Sequence, residues 1–245
     1  MEKYSVLFLL IFLAGCSLWE SKPARYSTEG YFQQGEALLA KGEYKEAGKA
    51  WEKVLEAYVS PQMNMLAELK IAEAHYLAKE YAEAAAAYED FLKRHPQERR
   101  TPDIMFQLGM SYYQQRLPQD RDQTATYNAL VTFQSLERNF PNSNKVAAAK
   151  QKIAVLRTEM ADHEFYVGKF YFKTKKYSSA ISRFEQLLQS YPEYPDQGKI
   201  YFYLGRAFFK VDNTKKGVET FNTLSKKYPN SPYVAKASKY LPDNN

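Results

Sequence analysis

The sequence predicts an all-α protein: a superhelical stack of five helical hairpins with a long inter-repeat helix and a C-terminal capping helix. Three observations lead there. One set of residue spacings recurs five times along the chain. Aromatic residues are abundant, with 21 Tyr and 15 Phe in 245 residues, while glycine occurs only 10 times. A stretch free of Gly and Pro, residues 146–159, lengthens one of the repeats. A lone hairpin cannot bury its apolar face but a stack can, so large flat side chains on uninterrupted helices suit stacked hairpins.

The recurrence can be counted. From Gly168, the residues Tyr171, Ala180, Phe184, Leu187 and Pro192 fall at offsets 3, 12, 16, 19 and 24. The same ruler from Gly205 meets Phe208, Gly217, Phe221, Leu224 and Pro229, and from Ala72 it meets His75, Ala84, Tyr88, Phe91 and Pro96. From Gly35 it meets Leu38, Ala47, Trp51, Val54 and Val59, with the proline displaced to Pro61. Around Gly109 and Tyr112 the first half fits, and Ala129, Phe133, Leu136 and Pro141 follow after an insertion of eight residues. These offsets resemble the tetratricopeptide consensus. A small residue on the first helix lets the second approach closely, and the aromatic is expected to fill the space between hairpins. The proline cannot continue the second helix and opens the next turn.

The distance from proline to the next small residue is 13 from Pro96 to Gly109 and from Pro192 to Gly205, but 27 from Pro141 to Gly168. The additional residues carry Val146, Ile153, Leu156 and Met160 at helical spacing, which predicts one helix over 144–173. Residues 233–241 hold no further hairpin and are expected to form a capping helix. The chain therefore divides into 1–15, 16–28, 29–142 with repeats one to three, and 143–245 with the long helix, repeats four and five and the cap.

The first 28 residues lie outside this pattern. Lys3 precedes an unbroken apolar run, residues 6–13, which suits the core of a signal peptide and is far short of a membrane span. It ends in Leu13-Ala14-Gly15-Cys16, which resembles a bacterial lipobox. The resemblance implies cleavage before Cys16 and lipid on its sulfur. Ser17, following the cysteine, implies sorting to the outer membrane. Cys16 is also the sole cysteine, so no intramolecular disulfide can form. Residues 16–28 then read as a polar tether on the periplasmic face.

A more specific likeness lies in the fourth repeat. Asp162-His163-Glu164-Phe165-Tyr166-Val167-Gly168-Lys169-Phe170-Tyr171 resembles the signature of the BamD family, helical lipoproteins of the outer-membrane β-barrel assembly machine. The insertion with Asp120-Arg121-Asp122 and the Phe140-Pro141-Asn142-Ser143 motif resemble that family's third repeat. The likeness implies a C-terminal half that docks on the barrel insertase, BamA, among other assembly lipoproteins. It implies an N-terminal half that receives C-terminal segments of unfolded outer-membrane proteins. Arg183 matches a helix-B arginine of the family's fourth repeat, which implies contact with the insertase.

In a tetratricopeptide stack the first helix of each hairpin lines the inner wall. Position 5 reads Phe32, Leu69, Phe106, Phe165 and Phe202, and position 12 reads Leu39, Tyr76, Tyr113, Phe172 and Phe209. Phe32, Leu39, Leu69, Tyr76, Phe106 and Tyr113 are the expected peptide groove. Packing between adjacent first helices is the competing role, strongest for Phe165 and Phe172. Position 9 changes sign along the stack, from Glu36 and Glu73 through Met110 to Lys169 and Arg206. Residues 199–245 hold nine Lys or Arg and three Asp or Glu, so the whole net charge of +6 resides there. An acidic partner or anionic lipid suits that end, with Lys169, Arg206 and Arg183 as the expected insertase contacts. Lys215, Lys216, Lys226 and Lys227 equally suit a solvated helix face.

Chemistry-bearing motifs are lacking. His75, His95 and His163 stand at no ligand spacing from one another, and no His-Glu-x-x-His helix or phosphate-binding Gly loop occurs. No metal, cofactor or catalytic group is expected, and His163 is expected to serve only local orientation within the long helix. Lipid-anchored export argues against nucleic acid as partner. The competing reading is a lipoprotein adaptor for cell-wall or division enzymes.

Overall fold

A computed structural model describes residues 27–58 and 60–241. The lipobox, Cys16, most of the tether and Val59 lie outside the described residues. Ten helices pair into five antiparallel hairpins: α1 (Thr28–Ala40) with α2 (Tyr44–Ala57), α3 (Pro61–Leu77) with α4 (Tyr81–Arg94), and α5 (Thr101–Gln114) with α6 (Thr124–Asn139). α7 (Val146–Lys173) then pairs with α8 (Tyr177–Ser190), and α9 (Gln197–Lys210) with α10 (Thr214–Lys227). Each helix packs on the next in chain order, and α7 also touches α9. The long helix spans 28 residues and starts two residues later than its pattern suggests.

Local sequence explains where helices begin and end. Ser60 Oγ accepts the Met63 amide at 3.1 Å with Pro61 at the first helical position, and Asp196 and Asn213 cap α9 and α10 through their side chains. His95, Phe140, Tyr191 and Tyr228 precede the four repeat prolines. They leave the helical region together, with φ between −132 and −124° and ψ between 55 and 62°. The turn inside most hairpins is three residues long, and its central residue, Gly42, Lys79, Lys175 or Asp212, adopts positive φ. The third hairpin differs. Its insertion opens the turn to 115–123 and adds residues to the start of α6.

The packing unit is a ring lying on a glycine. A β-carbon built on Gly35 would stand 2.5 Å from Trp51, on Gly109 2.6 Å from Phe133, on Gly168 2.6 Å from Phe184, and on Gly205 2.3 Å from Phe221. Each of these rings is fully buried. The repeat aromatic therefore sits first inside its own hairpin, where the spacing alone suggested the gap between hairpins. In the second repeat Ala72 and Tyr88 take the corresponding places in one apolar cluster.

Two elements depart from expectation. The cap is a single short turn, α11 (Val234–Ala237), continued by a 3₁₀ turn (Ser238–Tyr240). Pro232 and Pro242 leave too few residues between them for a nucleated helix. His163 does not act locally: its Nδ1 lies 2.7 Å from the Gln119 carbonyl and ties the third-repeat insertion to α7.

Two stability tests follow. Gly168→Ala should destabilise by about 1–3 kcal/mol, because the ring must shift within a packed core. Gly48→Ala, which would meet only the Ala74 β-carbon at 3.8 Å, should be neutral or stabilising in the same urea melts. Lys175→Gly should stabilise by up to about 1 kcal/mol, because its φ of 64° strains any residue with a β-carbon. An unchanged or lowered urea midpoint would contradict it.

Candidate protein-binding surface

The six residues expected to form the groove are all half-buried, each with part of its surface already packed. Phe32 leans on Trp51 with ring centroids 6.3 Å apart, and Phe106 leans on Phe133 at 5.6 Å. Leu39 and Leu69 join the apolar clusters of their own hairpins. Tyr76 meets the edge of Tyr81 at 5.4 Å. Tyr113 is overlaid by the Arg116 guanidinium and the Lys152 ammonium, 3.2 and 4.2 Å from its centroid. Position 5 thus continues the glycine–ring contact outward, one further layer in every hairpin but the second, where Leu69 joins the Ala72–Tyr88 cluster. In the C-terminal half that layer closes: Phe165 and Phe202 are buried, against Phe184 and Phe221.

The three expected insertase contacts divide into two places. Lys169 and Arg206 lie over one ring, Tyr203, at 6.0 and 5.9 Å from its centroid. Arg183 projects from α8 and donates from Nη1 to Glu164 Oε2 at 3.1 Å. Tyr203 is the hub that sequence reasoning missed. It touches Phe165, Phe172, Phe184 and Phe202, and so joins repeats four and five. It stands at a helix-A position outside the inner-wall set, and its only signal was the aromatic run Tyr201-Phe202-Tyr203.

Electrostatics differ between the ends. Near the N-terminus, Lys70 bridges Glu36 and Glu73 at 3.1 and 3.2 Å and lies over Trp51, so the acidic position-9 residues share one cation. Arg116 pairs with Glu159 at 2.7 Å, joining the turn after α5 to α7. Toward the C-terminus, Arg157 pairs with Glu193 and donates to the Ser190 carbonyl at 2.8 Å. The hydrogen bond from Arg157 holds the Glu193 carboxyl below its ordinary range. Tyr194 donates to Asp162 at 2.5 Å, and burial first, then that bond, pushes its phenol above the ordinary value. Lys169 and Arg206 make no ion pair among the described residues.

The remaining histidines hold the scaffold. His75 meets Glu80 at 2.9 Å, and Glu80 also binds Lys45 on α2. His95 meets Glu68 at 2.8 Å across α3 and α4. Among the described residues no group of three His, Cys, Asp or Glu side chains is placed to hold a metal, and no helix is long and apolar enough to cross a membrane.

Stacked antiparallel hairpins, a small residue under each helix-B aromatic and prolines between units define a tetratricopeptide-type helical-repeat protein. The chain matches the model of the YfiO outer membrane lipoprotein family over residues 24–216, and it belongs to that family. It is similar to the outer membrane protein assembly factor BamD of Rickettsia prowazekii, 28% identical over 188 residues that cover 76% of this chain and 75% of the relative. It is similar also to BamD of Caulobacter vibrioides, 25% identical over 181 residues, 72% of this chain and 59% of that longer protein. A solved tetratricopeptide protein from Thermus thermophilus aligns over 88% of this chain and 99% of its own, at 16% identity and a TM-score of 0.38.

Proposed function

We propose that this protein is a non-enzymatic scaffold for assembly of outer-membrane β-barrel proteins, held by lipid on Cys16 at the periplasmic face of the outer membrane. The observation that carries the reading is family membership across residues 24–216, joined to relatives whose names are those of outer membrane assembly factors. The mechanism is one of surfaces. Repeats four and five dock on the barrel insertase through Lys169, Arg206 and Arg183, where an insertase carboxylate competes with Glu164 for the Arg183 fork. Repeats one to three receive the C-terminal segment of an unfolded barrel protein along Phe32, Leu39, Leu69, Tyr76, Phe106 and Tyr113. Support for that division comes from position 5, half-buried at Phe32, Leu69 and Phe106 but closed at Phe165 and Phe202, whereas position 12 is half-buried along the whole stack.

Affinity isolation of the full chain from detergent-solubilised membranes should recover a barrel protein with periplasmic repeats. Recovery of cell-wall or division enzymes in its place would reject the reading in favour of an adaptor. Tyr76→Ala with Phe106→Ala should weaken binding of a barrel protein's C-terminal peptide about 10-fold or more, a loss of ~1–3 kcal/mol for an aromatic contact. Helicity by circular dichroism should persist. Unchanged affinity with helicity intact would mean that these rings only pack.

A further inference from the structure

Arg206 is held by rings, where Arg94, Arg100, Arg116, Arg157 and Arg183 are each held by a glutamate. Its guanidinium carbon lies 5.0, 5.4, 5.9 and 5.8 Å from the centroids of Phe172, Phe202, Tyr203 and Tyr240. Phe172 belongs to α7, Phe202 and Tyr203 to α9, and Tyr240 to the terminal 3₁₀ turn, so three separate elements build the box. Arg116, Arg157 and Arg183 each pair with a glutamate. Arg206 pairs with none among the described residues, and its Nε is shut off from solvent without a hydrogen-bond partner. An enclosed donor left unmatched is unfavourable, and an apolar side chain of similar length would fill the same box without that penalty. The rings favour a cation here but leave its Nε without an acceptor. The two terminal nitrogens are not enclosed, and Lys169 adds a second cation over the shared ring of Tyr203. The surrounding segment carries the excess of positive charge, nine Lys or Arg against three Asp or Glu over residues 199–245.

We propose that this box seats one carboxylate of an acidic, aromatic-flanked segment on a protein partner. The proposal rests on the docking reading above and gives that interface its chemistry: the segment belongs to the periplasmic part of the insertase. The carboxylate takes the two terminal nitrogens as a fork, whose plane the flanking rings already hold in place. An apolar neighbour of the carboxylate lies on Tyr240, an exposed residue of the terminal turn. A lipid phosphate fits less well, because half-buried Arg206 is flanked by rings of α7, α9 and the terminal 3₁₀ turn, which suit an aromatic-flanked peptide carboxylate better than a headgroup.

The test uses the full chain in detergent and two capped pentapeptides, Gly-Phe-Glu-Phe-Gly and its Gln counterpart, titrated while arginine side-chain Nε–H signals are followed by NMR. The Glu peptide should bind about 10- to 100-fold more tightly than the Gln peptide and should shift the Arg206 signal. Arg206→Met should abolish that preference while helicity by circular dichroism persists. Equal affinities, a preference that survives Arg206→Met, or no saturable shift would overturn the proposal. So would a lack of preference combined with Arg206-dependent binding to phosphatidylglycerol vesicles, which would mark a membrane site. Isolation from membranes separates this idea from the docking reading. If the intact protein shows the peptide preference but captures no barrel protein, docking fails and the carboxylate seat stands. If Arg206→Met captures the barrel protein as well as the parent does, the seat is not part of that interface.

Discussion

The structure depends on one contact, a helix-B ring lying on the bare backbone of helix A. Without a β-carbon at Gly35, Gly109, Gly168 and Gly205, the two helices of a hairpin come close enough for Trp51, Phe133, Phe184 and Phe221 to be enclosed completely. Enclosing a ring of that size removes its whole apolar surface from water, a gain of roughly 1.5–3 kcal/mol per side chain. Repeated along the chain, that gain sets the distance between helices and hence the orientation of every residue on the inner wall.

The same contact determines what the inner wall can offer. Position-5 residues pack outward on the locked ring, so each spends one face on the core before any partner arrives. In the N-terminal hairpins the other face stays half open. In repeats four and five Tyr203 enters the layer and closes it, and the surface there consists of cations lying on rings. A chain of one repeat type thereby acquires two unlike ends. The first has part-exposed rings around carboxylates that share Lys70, and the second is basic with Arg206 unmatched by acid.

The insertion and the long helix act together. The opened turn at 115–123 is tied to its own hairpin at its two ends, by Gln115 and Arg116 to α5 carbonyls and by Asp122 and Gln123 to the start of α6, and His163 adds an anchor from α7 through the Gln119 carbonyl. Arg116, at the start of the same turn, reaches Glu159 one helical turn earlier on α7. The long helix thus joins the two halves of the stack through its backbone and fastens the irregular turn through its side chains.

The sequence by itself determined the hairpin class, the register of each repeat, the long helix and the prolines that end each unit. These are local matters, written in spacings of 3, 12, 16, 19 and 24 residues that helical geometry converts directly into faces. It also singled out Lys169, Arg206 and Arg183. Only the tertiary structure decided that Arg183 is engaged by Glu164, that Lys169 and Arg206 share Tyr203, and that Tyr240 completes a box around Arg206. Apart from Arg206 over Tyr203, neighbours three residues apart on α9, those pairings join residues on different elements, as far apart as Phe172 and Tyr240. No repeat spacing encodes them, because they arise where one hairpin is laid on the next and the chain's final turn folds back on both.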